Sequence, residues 1–282
     1  MTQLQHSDYE YDVDINGYSA AAHVIRMVGK NKHVLELGAG PGSITKHLFR
    51  EGKCRIKAIE ANPDSIIKLK TYCELVYQAD LNNTNWQELL DKNDKYDVIV
   101  AADVLEHLYN PWEILTVMKK LIKNDGYLVI SLPHVGHSAV IACLLNEDFE
   151  YQDWGLLDRT HVRFFGLNNI QFLFDNAGLS IEDAQFVVIP PDQTEFSAQW
   201  KKLSLATRRI LSSYKYGLIY QVVIKAVPKE RMNNGISLMS LVVQKPAISL
   251  KHKLKTIVRP FIPQKMRIML HHMLNNFIHR KQ

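Results

Sequence analysis

Apolar and polar residues alternate with two different periods along the first 132 positions of the chain. Apolar residues at Ala21, Val24, Ile25 and Val28 have the spacing of one helix face and predict a helix over residues 17–30. Apolar runs predict buried strands at residues 34–37, 55–60, 76–79, 95–101 and 127–132. Helices are predicted between them, at residues 43–50, 62–72 and 111–123. Because strands that alternate with helices form parallel sheets, this pattern predicts an α/β fold with a doubly wound sheet.

The regular alternation stops at residues 133–165, which mix histidine, aromatic and charged side chains. A connection this long inside a domain is usually functional, and we interpret residues 133–165 as a substrate-side insertion. Beyond it the pattern predicts two more helices and two more strands, in the order helix 168–177, strand 180–189, helix 196–213 and strand 218–227. Two strands so late in the chain favour an antiparallel addition to the edge of the sheet.

The first predicted strand runs directly into three glycines, in the sequence V-L-E-L-G-A-G-P-G-S-I-T. Glycine suits this turn because a tight turn needs positive φ and because the missing Cβ lets a ligand approach the backbone. The spacing is G-x-G-x-G, whereas pyrophosphate-binding turns have G-x-G-x-x-G, and this favours a ligand without phosphates. A strand, turn and helix that bind nothing are the alternative interpretation.

Acids follow three of the predicted strands, at Glu60, Asp80 and Asp103. Glu60 lies 22 residues beyond Gly38, where a carboxylate can accept hydrogen bonds from both ribose hydroxyls of a nucleoside. The alternative is a solvent-exposed glutamate at a strand end. Since ligands of doubly wound sheets bind at the carboxyl ends of the strands, we expect these acids to share one edge with the glycine turn.

Composition and charge narrow the class of protein. The 282 residues are 46% hydrophobic and 22% charged, as in an ordinary soluble protein, and the three cysteines lack the spacing of a disulfide framework or a zinc site. The amino-terminal residues lack the pattern of a signal peptide, and the apolar run at residues 139–145 is far shorter than the roughly 20 residues that cross a bilayer. We therefore expect a cytoplasmic protein.

The sequence motifs together resemble those of class I S-adenosylmethionine-dependent methyltransferases. The resemblance covers residues 17–229 and rests on V-L-E-L-G-A-G-P-G, the acid at Glu60, Asp80-Leu81, Y-D-V-I-V-A-A-D-V-L-E-H-L and N-D-G-Y-L-V-I-S-L-P. It implies a Rossmann-like sheet, mostly parallel with an antiparallel late strand, and S-adenosylmethionine as the cofactor. It also implies the cofactor-binding residues, which are Glu36, Gly38, Gly40 and Gly42 for the methionine portion and ribose, Glu60 for the ribose, Asp80 and Leu81 for the adenine, and Asp103 with Val104 for the floor of the site.

A later segment, G-L-L-D-R-T-H-V-R-F-F, is similar to a subgroup of these enzymes found with polysaccharide and O-antigen biosynthesis. Two residues depart from the subgroup. His134 stands where asparagine usually follows S-L-P, and Gly166 stands where serine or threonine usually caps the next helix. The local roles of these two positions are therefore open.

Methyl transfer to a hydroxyl needs a base that removes the hydroxyl proton, and histidine is neutral enough for that task near pH 7. We predict that His107 or His161 is this base. His107 would lie four residues after Asp103 on the same face of a helix, and Asp158 would flank His161 in the insertion. The alternative is that His107 only packs against the sheet edge.

We predict no structural metal. Because ubiquinone-type O-methyltransferases share a similar L-E-H stretch, a loosely held divalent ion near Glu106 and His107 is the alternative.

The charge is divided unevenly: residues 1–199 contain 17 Lys+Arg and 28 Asp+Glu, whereas residues 200–282 contain 17 and 1. Residues 249–282 combine this positive charge with apolar residues at helical spacing, which predicts two short amphipathic helices. Such helices either lie on an anionic membrane surface or pack against protein. Without an aromatic-interleaved RNA-binding motif, we expect no nucleic-acid partner.

These observations predict two domains, a methyltransferase domain at residues 1–229 and a basic extension at residues 230–282. The leading functional hypothesis is an enzyme that O-methylates a sugar of a surface polysaccharide or a lipid-linked glycan. The second is a methyltransferase for a small aromatic or quinone-like acceptor, and the third is a non-catalytic cofactor-binding scaffold. The oligomeric state is not predicted.

Overall fold

Residues 10–83, 85–232 and 234–244 are described by the computed structural model of the chain. The strands are β1 His33–Leu37, β2 Arg55–Glu60, β3 Leu75–Gln78, β4 Tyr96–Ala102, β5 Ile122–Pro133, β6 Leu179–Val188 and β7 Ile219–Pro228. The helices are α1 Ala20–Val28, α2 Thr45–Arg50, α3 Pro63–Leu69, α4 Pro111–Leu121, α5 Ser138–Leu145, α6 Leu167–Asn176, α7 Ser197–Lys202 and α8 Leu205–Ser213.

The seven strands form one sheet in the order β3-β2-β1-β4-β5-β7-β6. Strands β1 to β5 run parallel, and β7 pairs antiparallel with both β5 and β6. The predicted Rossmann-like sheet with an antiparallel late addition is confirmed. The strand order reverses between β1 and β4, so the carboxyl ends of these two strands border the crevice where such sheets bind ligands.

Both faces of the sheet are covered, as the continuous apolar runs predicted. Leu35, Leu37 and Ile99 are buried in the core on one face, whereas Val34 and Val98 are buried in the core on the other. Parallel strands need this two-sided cover because their helical connections lie on both faces. The packing holds the strand ends, and hence the site, on a rigid base.

Local sequence signals fix where several helices begin. The Ser19 side chain accepts a hydrogen bond from the Ala22 N–H at the start of α1. Asn62 and Asn110 cap α3 and α4 in the same way, and each is followed by proline at the first helical position.

Two local predictions are wrong. The fifth strand is predicted to begin at residue 127, but β5 already begins at Ile122. Tyr96 pairs with Ile122 and Val98 pairs with Tyr127, so the extra residues are accommodated as an irregularity inside the strand. The helix expected over residues 196–213 is divided, because Ser204 caps a new helix by accepting a hydrogen bond from the Thr207 N–H.

The described chain beyond β7 packs against this domain. The Ile236 N–H donates to the Ile181 carbonyl at 2.8 Å, and Leu238 is buried in the core. The predicted amphipathic helices at residues 249–282 lie outside the described residues, so their membrane contact and the domain boundary at residue 229 stay predictions. Within the described residues, every helix is too short or too polar to cross a bilayer.

Candidate active site

The glycine turn, residues 38–42, follows β1 at the carboxyl edge of the sheet. Gly38, Gly40 and Gly42 all have positive φ, at 62°, 55° and 94°. A Cβ on Gly38 would lie 2.8 Å from the Val104 Cγ2 atom, so only glycine lets the turn pack on Val104. A Cβ on Gly40 would meet no atom within 4 Å, which leaves open space beside the backbone of Gly40.

Glu60 ends β2 with its carboxylate beside this open space. One oxygen accepts a hydrogen bond from the Gly40 N–H at 2.7 Å, and the other accepts one from the Asn62 N–H at 2.8 Å. Each carboxylate oxygen has a second lone pair, so the side chain can still accept hydrogen bonds from a ligand. The half-buried Glu60 therefore faces the turn, as the sequence predicted.

Glu36 lies beneath the turn. Its side chain is 2% exposed and accepts a hydrogen bond from the Thr45 hydroxyl at 2.8 Å. Burial, with a smaller contribution from the nearby Glu60 carboxylate, raises the pKa of Glu36 to about 7. The residue ties β1 to α2 and shapes the turn from the protein side.

The loop after β3 brings Asp80 and Leu81 to the same edge. Asp80 is exposed, and its carboxylate accepts a hydrogen bond from the Asn82 N–H at 2.8 Å. Leu81 borders a cleft of about 240 Å³ that Trp86 and Leu108 also line. This arrangement offers an exposed acid and an apolar wall at one end of the crevice.

Asp103 directly follows β4 and has a left-handed conformation, with φ of 53°. Its two oxygens accept hydrogen bonds from the Ser131 hydroxyl and the Gln221 amide, both at 2.8 Å. Burial raises the pKa of Asp103 above its ordinary value, while these hydrogen bonds oppose the shift. A non-glycine residue in this conformation is held by its surroundings, which is common at functional sites.

The prediction of a helix after Asp103 is wrong. Only a single 3-10 turn forms, at Leu105–His107, and the positive φ of Asp103 separates it from the strand. Asp103 and His107 therefore do not share one face of a helix. The 3-10 turn instead directs His107 toward the insertion, where it meets Thr160.

His107, Thr160 and Asp158 are joined by side-chain hydrogen bonds. The Thr160 hydroxyl lies 3.0 Å from His107 Nδ1 and 2.7 Å from Asp158 Oδ1. Asp158 is 2% exposed and also accepts a hydrogen bond from the Thr160 N–H at 2.8 Å. Burial lowers the pKa of His107, so its ring is neutral at pH 7.

His161 packs against His107 from the insertion. The two ring centroids are 4.7 Å apart, and the rings are nearly perpendicular at 72°. Burial, together with the neighbouring His107, lowers the pKa of His161 to about 4. The three predicted catalytic residues, His107, Asp158 and His161, are thus brought together, while their roles stay predictions.

Glu106 is buried beside the two histidines, at 1% exposure, and burial raises its pKa well above the ordinary value. Among the described residues, neither of its carboxylate oxygens has a hydrogen-bond partner. Ligand atoms of Glu106, His107 and His161 all lie within 4.8 Å of one another, so these groups could hold a divalent cation. The prediction of no structural metal stays a prediction.

An aromatic wall, formed by Phe149, Tyr151 and Phe164, leads from solvent to His161. Phe149 lies 5.2 Å from Tyr151 and 5.9 Å from Phe164, and Phe164 lies 6.2 Å from His161, between ring centroids. Tyr151 and Phe164 are 57% and 38% exposed. Trp154 is exposed as well, whereas Phe165, the neighbour of Phe164 in sequence, is buried in the core.

The segment before α1 covers the glycine turn, a contact that the sequence analysis missed. The Tyr11 N–H donates to the Ser43 hydroxyl at 3.0 Å, and Asp12 pairs with Lys46 at 3.2 Å. Partial burial raises the pKa of Tyr11, which is 48% exposed, and the carboxylates of Asp103 and Glu36 raise it further. The Tyr11 side chain therefore lies in the electrostatic field of the site's acids.

Ser131, Gln221 and Thr160 were also missed. The position of Ser131 at the end of the fifth predicted strand could have indicated its role, and Asp158-x-Thr160 has the spacing of a side-chain turn. No sequence pattern indicated the role of Gln221, because its position opposite Asp103 depends on the antiparallel register of β7.

Comparisons with known proteins agree with this geometry. A family model described as a methyltransferase domain matches residues 14–184. The ubiquinone biosynthesis O-methyltransferase of Shewanella pealeana is 23% identical over 165 residues, which cover 57% of this chain and 68% of that protein. The mitochondrial enzyme of the same name from Dictyostelium discoideum is 19% identical over 170 residues. These residues cover 56% of this chain and only 53% of the Dictyostelium protein.

Solved structures share the fold. An S-adenosylmethionine-dependent methyltransferase from Thermotoga maritima superposes with a TM-score of 0.50 at 16% identity, covering 74% of this chain and 88% of that one. The [4+2]-cyclase SpnF superposes equally well, at 0.50 and 13% identity, covering 80% and 88%. Since a cyclase shares the architecture, the reaction must be argued from the side chains of the site.

Proposed function

This chain belongs to the methyltransferase-domain family and is an S-adenosylmethionine-dependent enzyme, and from this premise we propose that it methylates a phenolic hydroxyl of an aromatic, quinone-like acceptor. The single observation that carries the acceptor class is the pairing of a neutral, weakly basic His107 with an aromatic wall that ends at His161.

The residues of the glycine turn fit the adenosyl and methionine portions of S-adenosylmethionine. The space beside Gly40 is open, and the Glu60 carboxylate borders it with lone pairs for the ribose hydroxyls. Asp80 and Leu81 suit the adenine, and Asp103 with Val104 forms the floor. When bound, S-adenosylmethionine supplies an electrophilic methyl group on a sulfonium.

His107 serves as the general base in this proposal. A neutral imidazole would take the proton of the acceptor hydroxyl, and S-adenosylmethionine, when held by the glycine turn and Glu60, would supply the methyl group. Base strength decides which hydroxyl suits it. A histidine whose pKa lies below 6.5 matches a phenol, with a pKa of about 10, better than an aliphatic hydroxyl closer to the 15.7 of water.

The aromatic wall supports the same acceptor class. Phe149, Tyr151 and Phe164 meet edge to face, and the exposed faces of Tyr151 and Phe164 offer a flat acceptor a stacking surface. The names of the Shewanella and Dictyostelium relatives point in the same direction. In this arrangement Phe164 would lead the ring of the acceptor toward His161 and His107.

A sugar of a polysaccharide or lipid-linked glycan is the second candidate acceptor. The observation that favours it is the exposed Trp154 next to the ion pair of Asp153 and Arg159, at 2.5 Å. An aromatic face with charged hydrogen-bonding groups beside it suits the apolar face and the hydroxyls of a sugar ring. This acceptor needs a stronger base than the phenol does.

A methyl-transfer assay with the purified full chain tests the proposal. The chain is incubated with S-adenosylmethionine and either a catechol or a set of hexoses and glycosides, and methylated products are identified by mass spectrometry. We expect methylated catechol and no methylated sugar. Methylation of a sugar alone, or of neither class, would contradict the phenolic acceptor.

The same assay separates a base from a bound cation. Each reaction is run with EDTA and with added Mg²⁺, because Glu106, His107 and His161 could hold a divalent cation. Turnover that persists in EDTA supports His107 as a metal-free base. Turnover that requires Mg²⁺ would assign the three side chains to a cation instead.

A further inference from the structure

The hydroxyl of Thr160 lies between the Asp158 carboxylate and the ring of His107, the candidate base. Because the hydroxyl has a single proton, it can donate to only one of these two groups. Asp158 Oδ1 is 2.7 Å from the hydroxyl, and His107 Nδ1 is 3.0 Å from it on the other side. An ionised carboxylate only accepts hydrogen bonds. The Thr160 proton is therefore directed to Asp158, and the Thr160 oxygen is left to accept.

The consequence falls on His107. If the Thr160 oxygen accepts, then the proton on the imidazole must be on Nδ1, and the lone pair of the neutral ring is on Nε2. The side-chain contact of His107 with Thr160 is made by Nδ1, and the Thr160 backbone also favours a proton on the ring. The ring thus directs its donor nitrogen to Thr160, which leaves Nε2 as the nitrogen that carries the lone pair.

Neighbouring contacts hold this arrangement in place. The Thr160 N–H donates to the same Asp158 oxygen at 2.8 Å, and the His161 N–H donates to the Asp158 carbonyl at 3.0 Å. The His161 ring lies edge to face against His107, at 4.7 Å, and restricts its rotation. Asp158, at 2% exposure, is shielded from competing water.

We propose that Thr160 is a positioning residue, whose hydroxyl is oriented by Asp158 and holds His107 in the Nδ1–H tautomer with Nε2 presented to the acceptor. The catalytic consequence rests on the proposed role of His107 as the base, whereas the tautomer follows from the hydrogen bonds alone. His107, 53 positions from Thr160, thereby acts as one unit with Thr160 and Asp158.

Two variants of Thr160 test the assignment. Thr160→Val keeps the size and branching of the side chain but removes the hydroxyl, and Thr160→Ser keeps the hydroxyl. Thr116→Val is the matched control, because the Thr116 hydroxyl bonds only the Trp112 carbonyl of its own helix, at 3.0 Å. The ¹⁵N chemical shifts of His107 in the full chain, assigned by comparison with His107→Asn, report the tautomer directly and need no acceptor.

We expect the Nδ1–H tautomer in the wild type, Thr160→Ser and Thr116→Val, and a shift toward the Nε2–H tautomer in Thr160→Val. Turnover of Thr160→Val should fall about 10- to 100-fold at saturating acceptor, a fraction of what a complete base supplies, with the affinity for S-adenosylmethionine unchanged. Thr160→Ser should recover most of the loss.

Two failures are distinguishable. An unchanged His107 tautomer in Thr160→Val would overturn the role of Thr160, whatever the enzyme methylates. A wild type that methylates no phenol but shows the expected tautomer change would overturn the proposed acceptor and leave the hydrogen-bond assignment standing.

Discussion

The glycine turn and the insertion are built in different ways. The glycine turn is made by backbone: its conformation comes from three positive φ values, and its main contact is the Gly40 N–H on Glu60. The insertion, residues 133–165, works through side chains that meet from distant positions, such as His107 with Thr160. The comparison teaches that the geometry of the glycine turn follows from local sequence, whereas the contacts of His107 with the insertion depend on the tertiary fold.

The variant His107→Asn should separate the roles of the two regions most clearly. If the insertion and His107 carry the chemistry alone, kcat should fall about 10²- to 10⁴-fold, the usual contribution of a general base, while the affinity for S-adenosylmethionine stays the same. Steady-state kinetics and calorimetry measure the two quantities. His47→Asn, on α2 beside Glu51, is the control. A matching loss of cofactor affinity would mean that the two regions are not separable.

A pH effect on stability should come from the insertion. His137 is fully buried, caps α5 by accepting from the Ala139 N–H, and lies 2.8 Å from the Ile189 carbonyl, to which its other ring nitrogen can donate. Burial lowers the pKa of His137 from 6.5 to about 4, so the unfolded chain binds a proton that the folded chain does not. This contribution is complete above pH 6.5 and is lost as the pH falls toward 4.

His137→Asn keeps a residue that can cap the helix but removes the titrating ring. Between pH 6.5 and 4, the wild type should lose about 3 kcal/mol more unfolding free energy than the variant, at 1.36 kcal/mol per pKa unit. Urea unfolding at several pH values measures the difference. Parallel curves for the two proteins would show that His137 does not set the acid stability of the insertion.

Two glycines distinguish conformational strain from a blocked ligand site. Gly40 and Gly29 both have positive φ, at 55° and 78°, and a Cβ on either would meet no protein atom within 4 Å. Gly40→Ala and Gly29→Ala should therefore both lose stability, Gly29→Ala the more, because a ψ of −150° places Gly29 in a region that glycine almost alone adopts. Only Gly40→Ala should also weaken S-adenosylmethionine binding, by about 10- to 100-fold, as expected for an added methyl group in a fitted site. Equal affinities in the two variants would remove Gly40 from the cofactor site.

The smallest effect is expected at the aromatic wall. Phe164→Ala should raise KM for the phenolic acceptor about 2- to 10-fold, the worth of one aromatic contact, with little change in cofactor affinity. Phe172→Ala is the matched control, since Phe172 is also exposed, at 63%, but lies on α6. An effect of equal size in both variants would assign the loss to general destabilisation.

The same contrast explains what the sequence could predict. The strands, the glycine turn and the acid at Glu60 follow from hydrophobic period and glycine spacing, because neighbours in sequence determine them. The anchors of Asp103 are different: Gln221 lies 118 residues away and reaches Asp103 only through the antiparallel register of β7. The prediction of a helix after Asp103 is wrong because the positive φ of Asp103 changes the direction of the chain there. Helix propensity does not reveal such a change.

The relation between His107 and Thr160 was beyond sequence reasoning for a similar reason. The two residues are 53 positions apart, and the sequence of the insertion does not indicate which of its residues lies beside His107. The exposed Phe164 and buried Phe165 were also indistinguishable by type, because only the turn into α6 decides which ring enters the core.

Calorimetric titration of S-adenosylmethionine into the wild type, Glu60→Gln and Glu74→Gln tests the central claim that the edge formed by the glycine turn and Glu60 binds the methyl donor. Glu74 is an exposed glutamate that pairs with Arg55 at 3.6 Å, just before β3, and serves as the control. We predict one-to-one binding to the wild type and to Glu74→Gln, and affinity about 10- to 100-fold weaker in Glu60→Gln, the worth of a hydrogen bond to a charged group. No binding to the wild type, or equal affinity in all three proteins, would contradict the claim.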